Sequence, residues 1–422
     1  MTTESYANDA AAAATHQRWL PCLGGILMNL ALGTFYAISL FLLPLEREFG
    51  WTRDQTSWVT TIGIVMIAST YIFAGMLYDK KGPRVVAVIG GIFFSGGFLL
   101  ASYINSLTAF YLTLGLCLGI GNGFGFVIPT SVASKWFPDK RGLIIGLMIG
   151  SYGAGSGIFG PLASGLIDEL GWRGVFQLYA LIFFFMTMLA AYLLKNPPDG
   201  YEPPRRDVTR SRAGVRNVVD VPASQMVRTP TFQLLWIAYC LGTTAGTMVI
   251  SQLAPFAQSA GHSATVAALA ITVGAIGNAS GRIFSGWMSD RAGRLNTLRV
   301  LLLVSVVAMP ALYLLREQVI PFYILVGTVY YCYGTQLSVY ASTSADFYGT
   351  KNIGFNYGLL FAAWGVAGVF GPFLGGRVYV ATGEYRLAFF IGSAAALAAL
   401  LVLAFARDPH RNEAAAAGPG PG

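Results

Sequence analysis

The sequence predicts an all-α membrane protein of twelve transmembrane helices arranged as two six-helix halves. Three observations carry that prediction. Apolar residues make up 55% of the 422 positions and charged residues only 11%, against about 25% charged in soluble domains, so charge is too scarce to cover a soluble surface. Twelve stretches hold the ~20 apolar residues that a helix needs to cross a bilayer. One motif also occurs twice, Gly75-Met-Leu-Tyr-Asp79-Lys80-Lys81-Gly82-Pro83-Arg84 and Gly286-Trp-Met-Ser-Asp290-Arg291-Ala-Gly293-Arg294. The two copies lie 211 residues apart and each directly follows a long apolar run.

Taken in order, residues 1–19 form a tail without the basic start and apolar core of a signal peptide, and are read as cytoplasmic and disordered. The first half, 20–195, holds spans at about 20–44, 56–78, 84–104, 107–131, 142–166 and 174–195. Residues 196–230, with six prolines, six arginines and four acids, read as a solvated linker. The second half, 231–407, holds spans at about 232–257, 263–287, 296–315, 319–344, 354–379 and 385–406. Residues 408–422 close the chain as a second disordered tail rich in Ala, Gly and Pro.

Basic residues orient this layout. With the linker and both tails in the cytoplasm, 20 of the 27 Lys and Arg residues lie inside, 6 lie outside and 1 lies within a span, the bias expected of an inner or cell membrane protein. Topology thus accounts for the net charge of +8 without a nucleic-acid partner. Cys22, Cys117, Cys240 and Cys332 fall in apolar runs with no paired spacing, which argues against disulfides and a metal site. No cofactor and no obligate protein partner are expected; the lipid bilayer is the one certain surrounding. In the repeated motif, glycines allow a sharp turn and bases hold it at the cytoplasmic face. Asp79, Lys80, Arg84, Asp139, Lys140, Arg141, Asp290 and Arg291 are expected either to latch the halves on that side or simply to anchor the loops.

Arg282 is the one charged residue well inside a predicted span. An arginine at that depth costs at least ~2.5–3.5 kcal/mol on insertion scales, so it should face a wet cavity and serve a purpose; snorkelling to the surface is the alternative. A guanidinium with no fixed carboxylate partner is a ready anion site, bidentate if the anion is a carboxylate. Gly274, Asn278 and Arg282 recur every four residues, which sets an amide beside the guanidinium on one helical face. Tyr331 and Thr335 likewise share a face. Gln252, three residues before Pro255, and Asn122, in the run Gly119 to Gly125, complete the polar candidates, although Asn122 can equally serve an interhelical hydrogen bond. Tyr36 is a structural aromatic by the same reasoning. Glycines in that run, in Gly146–Gly160 and in Gly365–Gly376 let helices approach closely.

The duplicated loop motif resembles that of the major facilitator superfamily, between the second and third spans of each half. Trp136-Phe-Pro-Asp-Lys-Arg-Gly142 with the glycines up to Gly155, Arg282, and Asn356-Tyr-Gly358 through Trp364 are similar to its monocarboxylate transporter and oxalate/formate antiporter branch. The resemblance spans nearly the whole membrane region. It implies a secondary transporter, not an enzyme, that works by alternating access, with paired inverted three-helix repeats and a site between the halves. It also implies that Arg282 binds the carboxylate of a small monocarboxylate such as lactate or pyruvate.

Two departures separate branches. Oxalate carriers place a lysine where this chain has Trp364, so one buried cation matches one carboxylate here. Animal monocarboxylate carriers place an aspartate where this chain has Asn278, which leaves the proton route unlocated. Proton symport is expected, with anion exchange of the oxalate/formate type as the alternative and a non-transporting carboxylate sensor as a distant third. His262, in an outer loop, can sense pH or be merely solvated; His16 and His410 lie in the tails. With the linker inside, Ser211→Cys in a cysteine-free background should react with an impermeant maleimide only after the cells are opened. Labelling of intact cells would reverse the orientation.

Overall fold

The computed structural model describes residues 17–198, 201 and 220–409. Most of both predicted tails, with His16 and His410, and most of the linker, with Ser211, lie outside the described residues. The long elements are α1 Trp19–Leu32, α2 Ser39–Phe49, α3 Arg53–Lys81, α4 Pro83–Ala101, α5 Leu107–Trp136, α6 Arg141–Leu193, α7 Pro230–Ser251, α8 Leu253–Ser259, α9 Ala264–Ala292, α10 Arg294–Leu314, α11 Val319–Tyr348, α12 Ile353–Thr382 and α13 Arg386–Phe405. No strand occurs among the described residues.

Among the described residues ten helices are long and apolar enough to cross a membrane, and two features bring ten to twelve spans. Gly171 takes φ 65° and ψ 167° within α6, a conformation open in practice only to glycine, so α6 is two arms that meet between the fifth and sixth predicted spans. The tenth predicted span, α11, is 30 residues long but too polar to qualify by hydropathy. It buries Thr335, Gln336, Ser338, Ser342, Thr343 and Ser344, which face neighbouring helices and not lipid.

The chain divides into two compact units, Met1–Gly214 and Val215–Gly422, and the dividing point falls within residues 196–230. In the first unit α1 and α6 meet backbone to backbone. A Cβ on Gly33 would lie 1.8 Å from the Tyr152 carbonyl oxygen, and one on Gly155 would lie 2.1 Å from that of Leu30. Beyond Leu32 the helix tightens to a 3₁₀ turn over Gly33–Ala37. At one end of this unit Glu48 accepts from Trp172 Nε1 at 2.5 Å and from Arg173. Those two donors, Arg173 first, hold its carboxyl below the usual carboxylate range.

Both units fasten the exit of their last helix in the same way. Arg84, at the start of α4, donates from Nε to the Leu194 carbonyl at 3.0 Å and from Nη2 to that of Tyr192 at 3.1 Å. Arg299, near the start of α10, donates from Nη2 to the carbonyls of Leu403 at 3.0 Å and Ala406 at 2.9 Å. The last carbonyls of a helix lack intrahelical donors and carry partial negative charge, so a guanidinium satisfies both demands. The third helix of each half thereby caps the sixth. Arg299 carried no motif signal in the sequence.

In the second unit α9 and α11 pack along most of their lengths, because glycines face backbone at three levels. A Cβ on Gly277 would lie 2.4 Å from the Gly327 carbonyl oxygen, one on Gly281 2.2 Å from that of Tyr331, and one on Gly334 2.2 Å from that of Asn278. Small residues at this spacing let dispersion contacts and polar bonds form between helices that gain nothing from hydrophobicity in lipid. Gly277→Val should force α9 and α11 apart at a cost of about 1–3 kcal/mol, read as a clear fall in melting temperature in detergent. An unchanged melting temperature would mean that the two backbones do not touch there.

Candidate functional site

Arg282 projects from α9 ten residues before its end at Ala292, and is only 1% exposed. A snorkelling head group would be wet; this one is enclosed. Its Nε donates to Asn278 Oδ1 at 3.0 Å, one turn back on the same helix. Gly334 of α11 leaves room for that amide, since a Cβ there would lie 2.6 Å from Oδ1. The amide therefore orients the guanidinium without bringing a second charge.

One turn further along α9, the Ser285 hydroxyl lies 3.0 Å from Tyr331 Oη and 2.8 Å from Thr335 Oγ1, both of α11. Tyr331 and Thr335 share a face, as their spacing predicts. Tyr357 of α12 is fully buried, donates to the Leu337 carbonyl at 3.2 Å, and lies within Coulombic reach of Arg282. Tyr239 of α7 adjoins Tyr357 and stacks on Tyr340 with ring centroids 4.2 Å apart. Trp364 is buried, donates from Nε1 to Tyr333 Oη at 2.9 Å and stacks on Phe361 at 4.9 Å. Its polar edge is thus occupied, and its ring face is stacked on an apolar neighbour.

The second unit accordingly gathers Arg282, Asn278 and Tyr331 on the α9–α11 pair, with Trp364 joined to α11 through Tyr333. Gln252 stands at the break between α7 and α8, half-buried against Gly375 of α12. Asn122 belongs to the first unit, where it accepts from Tyr152 Oη at 2.9 Å and donates to the Leu118 carbonyl at 3.0 Å. The interhelical bond weighed from sequence for Asn122 is present. Tyr36 packs edge to face on Tyr152 at 5.2 Å. Sequence reasoning passed over Ser285, Tyr239 and Tyr357. Ser285, three residues from Arg282, was detectable by helical spacing; the other two become neighbours only through packing.

The motif residues enter bonds within their own units. Asp139 pairs with Arg18 at 3.4 Å, and Arg141 Nη2 donates to the Ser134 carbonyl at 3.4 Å. Arg294 bridges Asp290 and Asp346, each at 2.6 Å, and so ties the α9–α10 turn to the end of α11. The Arg291 guanidinium lies 3.7 Å from the Trp287 ring centroid. Lys80 is exposed and Asp79 half-buried at the end of α3. His262 contacts the Arg316 carbonyl through Nε2 at 2.6 Å. Among the described residues the four cysteines are unbridged, and no group of three His, Cys, Asp or Glu side chains is placed to hold a metal.

A model of the Major Facilitator Superfamily matches residues 24–349. The chain belongs to that superfamily. An uncharacterized MFS-type transporter of Escherichia coli K12, YhjX, is 29% identical over 353 residues, 83% of this chain and 86% of the relative. The oxalate:formate antiporter of Oxalobacter formigenes is 28% identical over 359 residues, 84% and 83% of the two chains. Bovine monocarboxylate transporter 13 is 27% identical over 390 residues, 91% and 88%. Among solved structures, the Escherichia coli fucose:proton symporter FucP superposes with a TM-score of 0.69 at 17% identity, covering 93% of this chain and 99% of that one. A structure of FucP in the outward conformation gives a TM-score of 0.67 at 16% identity, over 92% and 98%. The chain is therefore a major facilitator transporter related to monocarboxylate transporters and to the oxalate:formate antiporter, and not an enzyme.

Proposed function

We propose that this transporter moves a small monocarboxylate of the lactate or pyruvate type across the cell membrane by alternating access with proton symport, and that Arg282 binds the substrate carboxylate. The observation that carries the reading is the burial of Arg282 beside a neutral amide. A guanidinium presents donors in a planar fork that matches a carboxylate. In a low-dielectric enclosure that attraction is much stronger than in water. Asn278 holds the fork's orientation through Nε while adding no carboxylate to compete with the substrate.

Charge also supports a single carboxylate over two. Trp364 closes the wall with a stacked indole, and an apolar wall suits a methyl group and rejects a second carboxylate on desolvation grounds. Binding of a monoanion neutralises Arg282, so a loaded carrier needs one compensating charge movement. A proton carried inward with the anion supplies it, and so does hydroxide moving the other way. Similarity to the oxalate:formate antiporter favours exchange of one anion for another as the second reading.

Radiolabelled lactate should accumulate in proteoliposomes when a pH gradient is imposed, acid on the side of addition. Accumulation that instead requires an internal anion would establish exchange. Arg282→Lys should lose most of the uptake and Arg282→Ala nearly all, with protein still reaching the membrane; wild-type affinity for lactate and pyruvate in Arg282→Ala would remove this residue from the site. Asn278→Asp should place a carboxylate where the amide now stands 3.0 Å from Arg282 Nε. Lactate should then bind more weakly at pH 7 and regain affinity as pH falls and that carboxylate is protonated. An affinity that is flat between about pH 5 and 8 would show that an acid at 278 does not compete for Arg282.

A further inference from the structure

We infer that the turn between α12 and α13 binds the headgroup of a zwitterionic phospholipid, phosphatidylethanolamine, with its phosphate on Arg386 and its ammonium on Glu384. The two units differ at the turn that leads into their last span. In the first, Gly171 with φ 65° is followed by Trp172 and Arg173; in the second, Gly383 with φ 71° is followed by Glu384, Tyr385 and Arg386. Each turn thus sets a ring and then an arginine at the start of the last span, and both rings are buried. Arg173 is engaged: it pairs with Glu48 of α2 and lies over the Trp172 ring at 4.3 Å. The matching segment of the second unit, α8 with the turn after it, contains no acid. Among the described residues neither Arg386 nor Glu384 enters an ion pair.

These two charges line a pocket instead. Arg386 and Glu384 share a cavity of about 280 Å³ with Thr382, Leu387 and Phe390, all five exposed. Thr382 Oγ1 accepts from the Glu384 N–H at 3.3 Å and so fixes the backbone of the acid. Leu387 and Phe390 lie three residues apart at the start of α13, a spacing that puts them on one face, and they are 48% and 42% exposed. Both α12 and α13 are long and apolar enough to cross a membrane, so the turn between them stands where hydrocarbon gives way to headgroups. Tyr379, stacked on Tyr385 at 4.3 Å, suits that boundary, where aromatic rings gather.

This lining selects one kind of ligand. A guanidinium takes a phosphate through paired N–H donors, and a carboxylate takes an ammonium, which has three N–H donors. One molecule that satisfies both must carry its two charges a few bonds apart. The apolar face beside them suits acyl chains, which a soluble zwitterion lacks. Phosphatidylethanolamine has all three parts. Phosphatidylcholine keeps the phosphate and the chains, but its methylated nitrogen has no N–H for Glu384, and phosphatidylglycerol carries no cation at all.

Native mass spectrometry of the delipidated full-length protein, incubated with each lipid in detergent, tests the site without any transported acid. Wild type should retain phosphatidylethanolamine several-fold more than phosphatidylcholine or phosphatidylglycerol. Arg386→Ala should hold one phosphatidylethanolamine fewer. Glu384→Gln should bring retention of that lipid down to the phosphatidylcholine level while leaving phosphatidylcholine unmoved. Both side chains are exposed, so the melting temperature of each variant should match that of wild type. Glycerophosphoethanolamine, the headgroup without chains, should fail to displace the lipid even in large excess. Equal retention of phosphatidylethanolamine and phosphatidylcholine by wild type, or unchanged retention in either variant, would overturn the assignment. A preference for phosphatidylglycerol would make Arg386 a simple anion site, and displacement by the chain-free headgroup would make the ligand a soluble zwitterion; either result rules out the lipid site.

Discussion

The α9–α11 pair of the second unit is arranged around the burial of one guanidinium, that of Arg282. Removing a charge from water is costly unless hydrogen bonds replace its hydration, and those bonds require polar groups at close quarters within an apolar bundle. Glycine supplies the closeness. Gly277, Gly281 and Gly334 bring the backbones of α9 and α11 into contact, which leaves space for the Asn278 amide and brings Ser285 and Thr335 within 2.8 Å of each other. With larger side chains at those levels the same polar residues would stand too far apart to bond.

The polarity of α11 follows from the same arrangement. A span facing lipid cannot hold six hydroxyl and amide side chains without leaving polar groups unsatisfied. On the buried face of α11 the hydroxyls of Thr335, Ser338, Ser342 and Thr343 each find a carbonyl one turn back on their own helix, while the Ser344 hydroxyl is buried without a partner.

Duplication explains a different layer of the molecule. Both halves carry the same loop motif, and in both an arginine of the third helix caps the last carbonyls of the sixth, yet the surrounding ion pairs differ. Arg294 joins two aspartates in the second half, whereas Arg84 of the first motif spends its donors on main-chain oxygens. The two motif arginines stand one residue out of register, Arg84 aligning with Leu295 and Arg294 with Pro83, and each takes the partners its neighbours offer: the end of the sixth helix for Arg84, Asp290 and Asp346 for Arg294. The motif therefore marks a turn that must be fastened, and the local neighbours decide by what.

Composition, the repeated motif and the isolation of Arg282 were enough to read the twelve-span architecture, the transporter family and the residue around which a site should form. These signals are legible in one dimension because the bilayer imposes a fixed length and apolarity on each span, and because an ionised group within one is rare. Helical spacing also paired Asn278 with Arg282 and Tyr331 with Thr335, since residues one turn apart share a face whatever surrounds them. What the tertiary structure alone decided is which faces meet. Only packing sets Ser285 against Tyr331, brings Tyr357 and Tyr239 from two other helices to the neighbourhood of Arg282, engages the Trp364 indole with Tyr333 and gives Asn122 to Tyr152. Contacts between residues tens of positions apart depend on helix rotation and on close approach at glycines, and neither is written in the periodicity of any single span.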